Sequence, residues 1–133
     1  MLILPDTSCW IEFFRPRGDK AVRSHLLNWL GADCLAICGP VRAEILRGAR
    51  QAEAPQIMEA FAALRHLESV EDDWLTVEQK ARTLADDGHN VPLLDLLIAA
   101  IAHRRGTVLA HKDAHFHTIA QVLPVRLHNF LEP

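Results

Sequence analysis

Asp95 lies inside the run Leu93-Leu94-Asp95-Leu96-Leu97-Ile98-Ala99-Ala100-Ile101-Ala102. An ionised carboxylate among so many apolar side chains is costly unless it is paired, hydrogen-bonded or bound to a metal. The helix dipole also favours an Asp in a first turn, but such residues normally decorate a polar face, and this segment has scarcely one. Glu44 sits similarly beside Val41, Ile45 and Gly48, on the border of an apolar stripe; alternatively it is a solvated glutamate paired with Arg47. Asp6 follows the apolar run Leu2-Ile3-Leu4, and Asp113 follows Thr107 to Ala110. In open parallel sheets, ligands bind beyond the carboxyl ends of strands. Both aspartates are also natural helix N-caps, although Thr7 or Ser8 can cap in place of Asp6 and leave its carboxylate free. Four oxygen donors without a cysteine among them suit Mg²⁺ or Mn²⁺. A cation so held can generate hydroxide and neutralise the charge that develops on a phosphodiester.

Other chemistry fits less well. His111, Asp113, His115 and His117 alternate acid and imidazole, and imidazole suits zinc, nickel and copper. The chain should turn there from strand into helix, which splits the shared face and leaves the other carboxylates unexplained. A nucleophilic Asp6, as in dehalogenase-like phosphatases, would want a second aspartate two residues on, where this chain has Ser8. Cys34 and Cys38 are too widely spaced for a redox pair and, with Cys9, read as buried core. Arg15, Arg17, Lys20, Arg23 and Lys112 are candidate phosphate contacts, weighed against an ordinary solvated face.

These residues require a scaffold that brings strand ends and helix faces to one place. Leu2 to Leu4, closed by Pro5, reads as a buried strand, and Cys34 to Cys38 as a second. Trp10, Ile11, Phe13 and Phe14 form a helical stripe; Leu26, Leu27 and Leu30 form another that stops at Gly31. Gly39-Pro40 opens a helix towards Gly48, and helical spacing continues from Pro55 through Leu67. Glu68 to Asp73 reads as an exposed connection, Trp74 to Leu84 as a helix, and Gly88-His89-Asn90 as a break. The helix from Pro92 to Ala102, apolar on nearly every side, must be largely buried. A strand over Thr107 to Ala110, a helix over Phe116 to Val122 and a strand over Val125 to Leu127 complete an α/β three-layer domain with a mainly parallel sheet.

Composition sets the outer bounds. Half of the 133 residues are hydrophobic, enough for one domain with a core, and 3 cysteines do not make a disulfide framework. The N-terminus lacks the basic start and long apolar core of a secretory signal, and no apolar run reaches membrane-spanning length, so a soluble protein of a reducing compartment is expected. The formal charge of −3 is the wrong sign for a protein that grips phosphate directly. Once the four carboxylates are assigned to a cation, acidic and basic residues elsewhere nearly balance.

The blocks Leu4-Pro5-Asp6-Thr7-Ser8 with Trp10-Ile11, Glu44, Pro92-Leu93-Leu94-Asp95 with Leu97-Ile98-Ala99-Ala100, and His111-Lys112-Asp113-Ala114-His115-Phe116 together resemble the PIN domain, and within it the bacterial VapC toxins. The resemblance spans essentially the whole chain, in order. It implies a PIN-like α/β/α fold forming a single domain over residues 1–133, and a cytoplasmic Mg²⁺- or Mn²⁺-dependent endoribonuclease. It further implies a homodimeric toxin silenced by a VapB-type antitoxin, reaching DNA only through that partner. Asp6, Glu44, Asp95 and Asp113 match the family's acidic quartet, with Asp6 and Asp95 as principal metal ligands. Thr7 or Ser8 matches a hydroxyl that orients Asp6 or a phosphate, and Lys112 and His111 are candidate substrate contacts. His111 departs from the Thr or Ser often found there. A PIN-type RNA-processing nuclease outside a toxin–antitoxin system, and a metal-binding partner module without catalysis, are the alternatives.

Overall fold

The structure, a computed structural model, describes residues 1–132. Five short strands alternate with helices: β1 (Ile3–Pro5), α1 (Thr7–Phe14), α2 (Lys20–Gly31), β2 (Ala36–Cys38), α3 (Gly39–Gly48), α4 (Ala54–Ala62), β3 (Arg65–Leu67), α5 (Glu71–Asp86), α6 (Leu93–Arg105), β4 (Val108–His111), α7 (His115–Ile119) and β5 (Arg126–Asn129). All strand pairs among the described residues are parallel. β1 pairs with β4 and β4 with β5, while β2 pairs with β3. A parallel bridge between Ile3 and Leu35 joins the two groups, giving the order β3-β2-β1-β4-β5. Pro5 lies opposite Ala110 in the register, and the Asp6 N–H donates to the Ala110 carbonyl at 2.9 Å. Asp6 and Asp113 therefore leave the sheet at the same edge.

The strands carry fully buried Leu4, Ile37, Cys38, Leu109 and Ala110, as their continuous apolar character requires. Leu96 through Ala102 of α6 are buried without interruption, and Phe61 and Phe116 fill the core beside them. Trp10 packs edge-on against Phe61 and stacks on Phe14. Cys9 and Cys38 are buried thiols and Cys34 is partly so, which fits the expected core role. The burial of α6 is less complete than its sequence suggests. Leu93 and Leu94 are exposed because the first turn projects beyond the core. At its other end Gly106 terminates α6 in the left-handed region, φ 64°, which glycine adopts without steric cost.

The helix expected from Pro55 through Leu67 ends at Ala62, and Arg65–Leu67 forms the edge strand β3 instead. Only Leu67 of that strand is buried, so it carries almost no hydrophobic pattern. Glu68 to Asp73 is likewise not simply an exposed connection. Glu71, Asp72 and Asp73 form the first turn of α5, where the helix dipole favours them. Asp73 is buried and accepts from Arg104 at 2.8 and 3.1 Å and from the Val70 N–H at 2.9 Å. The fifth strand begins one residue later than expected and extends to Asn129. Arg104→Ala would strand the Asp73 carboxylate. It is expected to cost about 2 kcal/mol, less than for a fully buried pair because Arg104 is partly solvated, and denaturant titration of the purified protein would measure it.

Candidate active site

Asp6 is held at the junction of β1 and α1. It is the N-cap of α1, its Oδ1 accepting from the Cys9 N–H at 3.2 Å and from the Ser8 hydroxyl at 2.6 Å. The expectation that Thr7 or Ser8 would cap in its place is therefore corrected. Capping occupies one carboxylate oxygen, and Oδ2 makes no hydrogen bond among the described residues. Ser8 Oγ also accepts the Lys112 N–H at 2.8 Å, tying the end of β1 to the end of β4. Thr7 has a different task, its hydroxyl donating to Glu44 Oε1 at 2.6 Å. Glu44 is thus fixed by a residue of α1, and its hydrogen-bond partner is Thr7, where the sequence offered Arg47. Thr7→Val keeps the side-chain shape and removes that donor. A drop in turnover of roughly tenfold is expected, with little change in thermal stability, read from initial rates on an oligonucleotide.

Asp95, in the first turn of α6, faces the β4–α7 turn. The His115 Nδ1 stands 3.1 Å from Asp95 Oδ2 and 3.1 Å from Asp113 Oδ1, while the His115 N–H donates to that same Asp113 oxygen at 2.9 Å. One ligand atom from each of these three residues falls within 4.8 Å of the others. His115 is the residue that sequence reasoning left without a role. Its signal was the two-residue spacing from Asp113, which read as a feature of a separate histidine site rather than as a bridge to Asp95 on another helix.

The carboxylates act on one another electrically. Burial, aided by the charge of Asp95, raises the Asp6 carboxyl to about 7 against the hydrogen bonds it accepts. Burial also raises Asp95 to about 6, with Asp113 and Glu44 adding repulsion that the His115 contact offsets in part. Asp95 is the centre of the group. Two partly or fully buried carboxylates, each raised first by burial and further by a neighbouring negative charge, mark a site short of positive charge. Asp6, Asp95, Asp113 and Glu44 offer hard oxygen donors, which suits Mg²⁺ or Mn²⁺.

The remaining candidates lie apart from this group of carboxylates. His111 is fully buried, its ring against Phe116 and His117, and its Nδ1 accepts the Asp113 N–H at 3.4 Å. That placement leaves it no surface with which to meet a substrate. It supports the turn that carries Asp113, and burial lowers its proton affinity. The histidine site considered from sequence is not assembled, since His111 points into the core. The Lys112 ammonium is held by Asp19 at 3.0 Å and Glu12 at 3.4 Å. Its contribution to the site is the backbone N–H that donates to Ser8 Oγ. Arg15 pairs with Glu12. On the Glu44 side, a groove of about 580 Å³ runs between α1, α3 and α4, with Ile11, Phe14, Ile45 and Ile57 along it and Arg15 and Arg50 at its margins.

The sequence matches the PIN domain over residues 3–122. It is 33% identical over 133 residues to Ribonuclease VapC11 of Mycobacterium tuberculosis, covering 97% of this chain and 99% of the relative. Ribonuclease VapC18 of the same organism is 30% identical over 127 residues, covering 92% and 90% respectively. Among solved structures, FitAcB from Neisseria gonorrhoeae superposes with a TM-score of 0.78 at 20% identity, over 99% of this chain and 100% of that one. VapBC2 from Rickettsia felis, bound to a fragment of its promoter DNA, does so with a TM-score of 0.77 at 17% identity, over 98% and 99%. At those identities the superpositions speak for the fold. The family match across nearly the whole chain and the two VapC relatives go further: this chain belongs to the PIN-domain family, on its VapC ribonuclease branch.

Proposed function

We propose that the chain is an endoribonuclease, the toxin of a VapBC-type toxin–antitoxin pair, and that its 133 residues act as one catalytic domain using Mg²⁺ or Mn²⁺. The observation that carries this reading is the convergence of Asp95 with Asp113 and His115, one ligand atom from each within 4.8 Å of the others, with Asp6 fixed at the same edge of the sheet. Asp6 and Asp95 are assigned as principal ligands of the cation, with Glu44 and Asp113 completing the site. A bound divalent cation there supplies charge neutralisation at the scissile phosphate and acidifies an attacking water. The protein's part is positional. Ser8 and the start of α1 fix Asp6, Thr7 fixes Glu44, and the Asp113 turn is buttressed by His111. Hydrolysis by water leaves a 5′-phosphate, in contrast to ribonucleases that use the 2′-hydroxyl through histidine.

The solved relatives include toxin–antitoxin complexes, one bound to promoter DNA. An antitoxin of VapB type is accordingly the partner assigned to this chain, together with a second copy of itself, and DNA is reached only through the antitoxin. No helix among the described residues is long and apolar enough to cross a membrane, and the cytoplasm is the compartment assigned. Expression of wild type and Asp6→Asn in a bacterial host, with mapping of new RNA 5′ ends, tests the reading. Growth arrest with discrete 5′-phosphate ends from the wild type alone is expected. Equal arrest by both proteins would contradict it.

A further inference from the structure

We propose that His115 is a nitrogen ligand of the divalent cation, so that the site is a mixed imidazole–carboxylate centre selecting a first-row transition ion such as Mn²⁺ over Mg²⁺. The inference rests on the proposed cation-dependent reading and goes beyond it by naming a further ligand and its consequence for metal choice.

Three observations converge on His115. Its Nδ1 lies 3.1 Å from a carboxylate oxygen of Asp95 and 3.1 Å from one of Asp113. Neighbouring ligands around a small octahedral cation, at bond lengths of about 2.0–2.1 Å, stand roughly 2.9 Å apart. The two separations from His115 Nδ1 are thus already close to the edges of such a polyhedron, and the third, between the carboxylates, lies within 4.8 Å. One imidazole N–H shared between two carboxylates at 3.1 Å makes at best a bifurcated bond, whereas a shared cation satisfies all three groups at once. The backbone supports the arrangement, because the His115 main-chain N–H donates to Asp113 Oδ1 at 2.9 Å and so fixes the Asp113 carboxylate at the start of α7.

The chemistry of selection follows from the donor set. Mg²⁺ prefers oxygen ligands and sheds water reluctantly, while imidazole raises affinity along the transition series. Removing His115 converts the centre to oxygen donors alone. The nitrogen ligand should therefore leave Mg²⁺ affinity nearly untouched and raise that for transition ions.

Untagged full-length protein loaded with one equivalent of Mn²⁺ provides the test by pulsed electron paramagnetic resonance. The wild type is expected to show ¹⁴N modulation from a directly bound imidazole, absent in His115→Ala and retained in His117→Ala. Competition titrations should show the preference for Mn²⁺ over Mg²⁺ falling on the order of tenfold or more in His115→Ala. The spectrum of the wild type stands without any variant, and the exposed position of His115 makes its replacement tolerable to the fold. Absence of ¹⁴N modulation in Mn²⁺-loaded wild type, or an unchanged Mn²⁺ preference in His115→Ala, would overturn the proposal while leaving cation-dependent RNA cleavage intact. Conversely, ¹⁴N modulation in a protein that cuts RNA equally well in EDTA would support the ligand and overturn the cation-dependent reading of the cleavage.

Discussion

Asp95→Asn is expected to lower RNA cleavage by roughly a thousandfold or more while leaving the fold in place. The substitution keeps side-chain volume and the first turn of α6, but removes the negative charge to which Asp6, Asp113 and Glu44 are all coupled. Loss of several kcal/mol of charge stabilisation in the transition state corresponds to a factor of that size. Because the core face of α6 begins at Leu96, the exchange disturbs none of the buried packing. Single-turnover cleavage of a short RNA at saturating Mg²⁺ and Mn²⁺, with circular dichroism as the check on folding, would measure it. Activity within tenfold of wild type would remove Asp95 from the centre of the account.

The second large effect has the opposite sign and concerns stability. Asp6→Asn should make the cation-free protein more stable at neutral and higher pH. The folded-state pKa of Asp6 is raised to about 7, by burial first and then by the neighbouring Asp95. Between about pH 4 and pH 7 the folded state consequently holds more protons on this group than the unfolded chain does. That contribution to stability is fully present below the ordinary carboxylate pKa and is lost as pH rises through about 7. Asparagine does not titrate and is itself a good N-cap, so it keeps the bonds to Cys9 and Ser8 available. The variant should gain about 2–4 kcal/mol over wild type at pH 8 in EDTA, and much less at pH 4. Thermal melts at the two pH values measure the difference. Divalent cations should then raise the melting temperature of wild type at pH 8 and do so weakly in the variant. A less stable variant at pH 8 would contradict the burial argument for Asp6.

Much of this was legible before the fold was known. Asp95 announced itself by interrupting an apolar helix, and Asp6 and Asp113 by following strands of a parallel sheet. What could not be read was the pairing of side chains across distant segments. Thr7 and Ser8 both looked like caps; their partners, Glu44 and the Lys112 backbone, lie 37 and 104 residues away. His115 looked like part of a histidine alternation because the approach of α6 to the β4–α7 turn is a tertiary fact. His111 shows the reverse error, a polar residue at a strand end whose side chain turns into the core. Asp73 was misread as surface because its partner Arg104 is 31 residues on. Strand β3 escaped notice because an edge strand of three residues with one buried side chain has no period to detect.

On the proposed function, the carboxylates at the sheet edge make RNA cleavage depend on a divalent cation. The most direct measurement is cleavage of a defined RNA by purified wild type and Asp95→Asn, first in EDTA and then with Mg²⁺ or Mn²⁺ restored. No cutting is expected in EDTA, with recovery in the wild type and 5′-phosphate products when the cation returns, and no comparable recovery in the variant. Cleavage that is undiminished in EDTA, or equal in the two proteins after the cation is restored, would contradict it.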